Sequence, residues 1–283
     1  MAVKKDTSPA LVRVVSFHGI DLTQTGEAYQ GECPFCQKPN HFYIHPGKDR
    51  GEPKFWKCHY CDSKGNIYSF LQQLHAASLE QTSPDAYKEL WREKRISPAA
   101  AKVCKLAKSV ITEEWLFPAL NKESKVVNLY RWAQSKNKLF GSPTLPTPLF
   151  GLNNLSDDTS IPVWIAEGHW DYAILEHVFR SLKIRKENDV LAVPGCNTVK
   201  PEWLAPLAGR NVILLYDNDY EKVTPTGKTI RPGWDGMKRF YKEAMDSHNP
   251  PASIQCIDWP SNLPDGYDVR DLFTSNLKVK KPT

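Results

Sequence analysis

Two pairs of cysteines place the tightest constraint on this chain. Cys33-Pro-Phe-Cys36 and Cys58-His-Tyr-Cys61 flank a spacer of 21 residues, 37 through 57. Each Cys-x-x-Cys turn presents two sulfurs to one ion, and two such turns complete the tetrahedral thiolate set of one structural zinc. The spacer reads as two strands, 41–45 and 54–58, around a turn from Gly47 to Gly51. A ribbon this small has little apolar core, so the metal must supply much of its folding free energy. His41, His45 and His59 become ligands only if a cysteine fails. Phe42, Tyr43, Phe55 and Trp56 alternate with Lys48, Arg50, Lys54 and Lys57. Rings between cations are what single-stranded nucleic acid stacks on, although some of these rings must pack beneath the knuckles. The remaining cysteines, Cys104, Cys196 and Cys256, read as buried packing residues.

A second constraint lies between residues 161 and 219. Ile-Pro-Val-Trp-Ile-Ala breaks off at Glu167, and Asn-Val-Ile-Leu-Leu-Tyr breaks off at Asp217 and Asp219. Short apolar runs of this kind are buried parallel strands, and ligands bind beyond the carboxyl ends of such strands. Three crowded acids repel unless a cation neutralises them, and an oxygen-only set favours Mg²⁺ or Mn²⁺ over zinc. The stretch therefore reads as a divalent-metal site for phosphoryl chemistry. Asp171 follows Glu167 by four residues, one helical turn, which holds it near the metals.

At 283 residues, with 41% hydrophobic and 24% charged residues, the chain has room for two or three small domains. No apolar run approaches a membrane span, and the Met-Ala-Val-Lys-Lys start lacks the apolar segment of a signal peptide, so a cytoplasmic protein is expected. A net charge of +5 favours contact with polyanions without requiring it. Helices are expected over 65–74, with Ile67, Phe70, Leu71 and Leu74 on one face, after Ser83-Pro84, and from Ser97-Pro98 to about Ser109. Residues 115–120 and 126–132 read as strands around a turn at Asn121 to Ser124, followed by basic Lys136-Asn-Lys138. Pro225-Thr-Gly-Lys-Thr229 imitates a phosphate loop, but Lys222 stands where that motif needs glycine.

Glu167-Gly168-x-x-Asp171, Pro194-Gly195 and Asp217-x-Asp219 together resemble the Toprim domain shared by DnaG-type primases, topoisomerases, some nucleases and recombination mediators. The fold implied is α/β, a Toprim domain with a central, mainly parallel sheet flanked by helices, preceded by a basic α+β subdomain and an N-terminal β zinc ribbon. Among zinc-plus-Toprim families, topoisomerases need a further tyrosine-bearing domain. RecR-like mediators place zinc directly before Toprim, whereas roughly a hundred residues intervene here. The order of parts is similar to a DnaG-type primase, above all to the primase half of phage primase-helicases.

That resemblance implies a zinc-ribbon template-binding domain over 1–78, linker helices and a basic subdomain over 79–157, and a Toprim catalytic domain over 158–283. It implies a DNA-directed RNA polymerase of the primase type, making RNA primers from ribonucleoside triphosphates on single-stranded DNA. Glu167, Asp217 and Asp219 would hold two Mg²⁺ or Mn²⁺ ions, and Asp268, in the acidic stretch 268–271, would add a ligand. Lys122, Lys125, Arg131, Lys136 and Lys138 would meet template and nucleotide phosphates, with Arg131 and Lys138 foremost. A replicative helicase acting in trans and a bacterial host cell, with phage or plasmid replication, belong to the same picture. The sequence departs from the family after Asp219, where an inserted loop carries Lys222, Lys228 and Arg231. Competing readings are a non-catalytic DNA-binding mediator and a Toprim nuclease.

Overall fold

The computed structural model describes residues 9–47, 54–196 and 198–275. Lys48, Arg50 and the end of the ribbon turn at Gly51 lie outside these residues. The chain divides into two compact units. One comprises Met1–Ala86, Lys105–Ala119 and Lys125–Thr147, the other Tyr87–Cys104, Leu120–Ser124 and Pro148–Thr283.

In the first unit, α1 (Ala10–Phe17) precedes a sheet in which β1 (Thr23–Thr25), β2 (Ala28–Gly31), β3 (Phe42–His45), β4 (Phe55–Cys58) and β5 (Lys64–Gly65) lie side by side in chain order. Every pairing is antiparallel. Strand alternation decides the fate of the ribbon aromatics. Phe42, Ile44, Trp56 and Cys58 all face inward and are buried, while Tyr43 and Phe55 face out. Phe42 and Trp56 are thus the rings that pack beneath the knuckles, and Tyr43 and Phe55 are the ones left for stacking. Phe42 and Trp56 stack on each other at 5.5 Å and meet Phe70 of the following helix, forming the ribbon's small core.

That helix, α2 (Ile67–Gln81), starts where the Asn66 side chain accepts the N–H groups of Tyr68 and Ser69. It buries Phe70, Leu71 and Leu74 as the spacing predicts. Two connectors follow, α3 (Pro84–Lys94) and α4 (Pro98–Val103). The Ser83 and Ser97 hydroxyls cap them by accepting the N–H groups of Ala86 and Ala100. Helix α4 stops at Val103 instead of near Ser109, because Lys105 turns into the left-handed region at φ 54°. The chain then forms β6 (Ala107–Lys108), β7 (Trp115–Leu120), β8 (Val126–Ala133) and β9 (Lys138–Gly141), a second sheet in that order.

A buried histidine gives the first unit a pH dependence. Ser142 Oγ donates to the Leu129 carbonyl at 2.7 Å, so its contact with His18 Nε2 at 2.9 Å requires the imidazole to carry the proton on Nε2. Nδ1 is left bare, without a partner among the described residues. Burial, with the Arg131 charge adding to it, pushes His18 down to about 3. The unfolded chain takes up this proton near pH 6.5 and the folded unit does not, so stability falls as pH drops below that value. Between pH 7 and pH 5 the expected loss is about 2 kcal/mol in urea unfolding of this unit. His18→Gln should reduce the difference, leaving the share of buried His75, which is also held below its ordinary range; an unchanged slope would show that His18 does not contribute.

The second unit is built on β10 (Val163–Ala166), α5 (His169–Ser181), β11 (Asp189–Ala192), α6 (Pro201–Leu204), β12 (Asn211–Leu215), a two-stranded hairpin of β13 (Lys222–Val223) and β14 (Thr229–Ile230), α7 (Pro232–Met245), β15 (Ser253–Cys256) and α8 (Val269–Ser275). The main sheet runs β11-β10-β12-β15 with every pair parallel. Val163, Ile165, Val212 and Leu214 face a core shared with Trp203, Met237, Phe240 and Ala244. On the opposite face Trp164 meets Phe179 of α5 edge-on at 5.5 Å. Helices thus cover both faces, and the chain crosses to opposite sides of β10, which opens a crevice at the carboxyl ends of β10 and β12. Leu182, just past the end of α5, and Tyr241, on the outer side of α7, are exposed.

One arginine secures the far end of this unit. Arg185 donates to the fully buried Glu176 through Nε, to Asp189 at 3.0 Å and Asn188 at 2.9 Å through Nη1, and to the Asn154 carbonyl at 3.0 Å through Nη2. Glu176 also accepts from Asn154 at 3.0 Å and Arg180 at 3.1 Å. Arg185→Ala strands a buried carboxylate, and the expected cost is about 3–5 kcal/mol in denaturant unfolding. A loss below about 1 kcal/mol would mean that Arg180 and Asn154 satisfy Glu176 without Arg185.

Candidate active site

The two cysteine pairs meet. Cys33 and Cys61 sulfurs lie 3.9 Å apart, Cys36 and Cys58 sulfurs 3.7 Å apart, and all four fall within 4.8 Å of one another. A tetrahedron with Zn–S of about 2.3 Å requires S···S separations near 3.8 Å, so the set fits one structural zinc. The knuckles are shaped by backbone: Gln37 and Asp62 take left-handed φ of 57°, and the Gln37 N–H returns to the Cys33 carbonyl at 2.8 Å. The three nearby histidines stand aside as ring partners, His41 against Tyr60, His59 against Tyr43 and His45 stacked on Phe55. No membrane-length apolar helix occurs among the described residues.

In the second unit, Glu167 follows β10 directly, and Asp217 follows β12 after one residue. The Glu167 carboxylate accepts the Asp217 N–H at 3.2 Å. Asn218 is buried and ties this segment down: its N–H donates to the Tyr267 carbonyl, and its amide donates to the Leu263 and Pro264 carbonyls. Asp217 and Asp219 flank it in the chain. Asp219 Oδ2 accepts the Gly233 N–H at 2.9 Å. Asp171, in the first turn of α5, accepts the Arg270 N–H at 3.3 Å, and Arg270 also pairs with Asp268.

Burial and mutual repulsion dominate the electrostatics. Asp217 is pushed up to about 10 by desolvation, then by the charges of Glu167, Asp171, Asp268 and Asp219. Asp171 rises to about 8, through burial and Asp268, against the opposing pull of Arg270. Burial also raises Glu167, with a hydrogen bond from Cys196 working the other way, and raises Asp268. Carboxylates crowded into a low-dielectric crevice accept a proton or a cation to relieve this strain. An all-oxygen donor set of this kind suits Mg²⁺ or Mn²⁺. Among the described residues the acids do not gather as tightly as the four sulfurs, which alone form a close ligand group.

Several neighbours of the acids were not anticipated from the sequence. Cys196, expected as packing, hydrogen-bonds Glu167, and Cys256, expected buried, is exposed. Gly233 is required by contact: a Cβ there would lie 2.4 Å from the Asp217 carbonyl and 3.1 Å from Glu167 Oε2. Only its place at a helix start, three residues before a second glycine, hinted at this.

The candidate phosphate contacts divide between the units. Arg131, in the first, is already paired with Glu114 at 2.7 Å and covers the Phe17 ring at 4.7 Å. Lys136 and Lys138 are exposed, and Lys136 lies 5.7 Å over Phe140, itself exposed, beside Lys138 on β9. Lys125 is exposed, and Lys122, in the second unit, pairs with Asp157 at 2.6 Å.

A thiolate ribbon and a parallel sheet with acids at its strand ends define the class: a zinc-ribbon protein with a Toprim-type α/β core. Residues 3–100 match the CHC2 zinc finger, the zinc ribbon of DnaG primases. Sequence similarity extends to the DNA primase of Thermotoga maritima, 33% identical over 72 residues, which are 25% of this chain and 12% of that protein. It extends also to the DNA primase of Myxococcus xanthus, 37% identical over 84 residues, 29% of this chain and 12% of that one. The chain thus spans about an eighth of the length of these curated relatives (12%). In fold, it is similar to the E. coli primase catalytic core (16% identity, 74% of this chain and 76% of that one, TM-score 0.52). It is similar as well to a DnaG primase catalytic domain solved with single-stranded DNA (15% identity, 74% and 76%, TM-score 0.52). Residues 3–100 thus carry the zinc ribbon found in DnaG primases, and the fold is similar to that of DnaG catalytic cores.

Proposed function

We propose that this chain synthesises short RNA primers on a single-stranded DNA template by metal-dependent nucleotidyl transfer. The observation that carries the reading is the contact between the Glu167 carboxylate and the Asp217 N–H at the ends of neighbouring parallel strands, in a chain with a DnaG-type ribbon. Glu167, Asp217 and Asp219 are the residues that hold the cations, with Asp268 a further ligand and Asp171 near the metals in the first turn of α5. Divalent ions bound there lower the pKa of a primer 3′-hydroxyl and offset the charge on departing pyrophosphate. The acids place that charge at the crevice, and Gly233 leaves the space beside it open.

The zinc ribbon, within 1–78, holds template. Exposed Phe55 and Tyr60 and half-buried Tyr43 offer ring faces, and Lys57 lies beside them on β4. Within 79–157, Lys136 and Lys138 with Phe140 form an exposed basic and aromatic patch suited to phosphate and base. Arg131 joins them only by exchanging Glu114 for a phosphate. Residues 158–283 carry the chemistry, and a replicative helicase in trans delivers the template in the cytoplasm of a bacterial host. The test is incubation of the zinc-loaded chain with labelled ribonucleoside triphosphates, Mg²⁺ or Mn²⁺ and single-stranded DNA. Template-dependent oligoribonucleotides are expected. DNA binding without synthesis would point to a mediator, and cleavage of the strand to a nuclease.

A further inference from the structure

The hairpin inserted between Asp219 and α7 sets a cation against the acid cluster. Lys222, on β13, donates from Nζ to Asp219 Oδ1 at 2.9 Å and lies 3.7 Å from Asp265 Oδ1. Both ends of the hairpin are tied down, one to Asn218 and Asp219 and the other to Asp265. Arg231 Nε donates to the Asp219 carbonyl at 2.6 Å and its Nη2 to Asn218 Oδ1 at 3.0 Å, while the Tyr220 N–H donates to Asp265 at 2.7 Å. The backbone under Lys222 is therefore held, but its side chain is 47% exposed and free to change rotamer. Asp219 Oδ2 is already engaged by the Gly233 N–H, so Oδ1, the oxygen Lys222 covers, is the one facing a cation.

We propose that Lys222 is a built-in counter-cation for Asp219 which a divalent ion must displace, so that the hairpin tunes the affinity of the acid cluster for metal. The inference rests on the metal-holding role of Glu167, Asp217 and Asp219. A lysine ammonium is a compact point charge on a flexible stem, suited to leaving one carboxylate oxygen when a doubly charged ion arrives. An exposed ammonium–carboxylate contact shifts an equilibrium by a few-fold, which sets the size of the effect.

The experiment is Mn²⁺ binding by the full zinc-loaded chain without nucleotide, read from the electron paramagnetic resonance signal of free Mn²⁺. Lys222→Gln is expected to tighten Mn²⁺ binding about three- to fivefold. Lys222→Arg keeps the competing charge and should stay within about twofold of the parent chain. Lys228→Gln removes the same charge from the same hairpin, where Lys228 closes the turn on Thr224, and should leave the Kd unchanged. An unchanged Kd in Lys222→Gln, or equal tightening by Lys228→Gln, overturns the proposal while leaving the metal site standing. Mn²⁺ binding that is absent from the parent chain, or indifferent to Asp217→Asn, overturns the metal role itself and the proposal with it.

Discussion

Removing zinc is expected to unfold the β1–β5 ribbon while the parallel sheet of the second unit stays intact. Among the described residues, four sulfurs 3.7–3.9 Å apart in two facing pairs are the one close ligand group that can tie together strands of two to four residues. The apolar core beneath them is little more than Phe35, Phe42, Ile44 and Trp56 against Phe70. Structural zinc contributes apparent binding free energies of about 10–16 kcal/mol, far more than a core of that size supplies. The Val163–Ala166 and Asn211–Leu215 strands draw instead on a core closed by Trp203, Leu207, Met237 and Phe240. Hydrogen exchange after chelation should show protection lost at 28–31, 42–45 and 55–58 and retained at 163–166 and 211–215. Retained ribbon protection in protein proven free of zinc would mean that packing alone holds the sheet.

Asp217→Asn is expected to abolish primer synthesis and at the same time to stabilise the protein in the absence of divalent ions. The substitution keeps shape and removes an acid that burial, and then the charges of Glu167, Asp171, Asp268 and Asp219, make costly to ionise in the crevice. Metal-dependent transfer should fall at least about a thousandfold, equivalent to roughly 4 kcal/mol of transition-state stabilisation. The relieved repulsion should raise unfolding free energy by about 1–3 kcal/mol, the exchange of stability against activity expected where charges are crowded for function. A variant that loses synthesis because it is less stable would point to a structural role for Asp217.

Much of this was legible in the residues. The cysteine spacing announced the ribbon, the serine-proline pairs announced α3 and α4, and β7 and β8 fall on short runs rich in apolar and aromatic residues. Carboxylates at the ends of two apolar runs pointed to the crevice because parallel strands end at the ligand side of a sheet. What stayed hidden depends on contacts between distant residues. The hairpin of β13 and β14 has two residues per strand and no apolar alternation, so nothing local marks it or brings Lys222 onto Asp219. Gly233 matters through a backbone approach that no motif records. Cys196 lies 29 residues from Glu167 in sequence, 196 less 167, yet meets it in space. The inward turn of Trp56 was available in principle, since Cys58 must face the metal and residues two apart share a face of a strand.

The most direct measurement is a comparison of the parent chain and Asp217→Asn, matched for zinc content and folded fraction, for template-dependent ribonucleotide polymerisation on single-stranded DNA with Mg²⁺ or Mn²⁺. Length-resolved RNA products from the parent and none from the variant are the expected result. Equal product from both, or polymerisation that persists without a divalent ion, would contradict a catalytic centre at Glu167, Asp217 and Asp219.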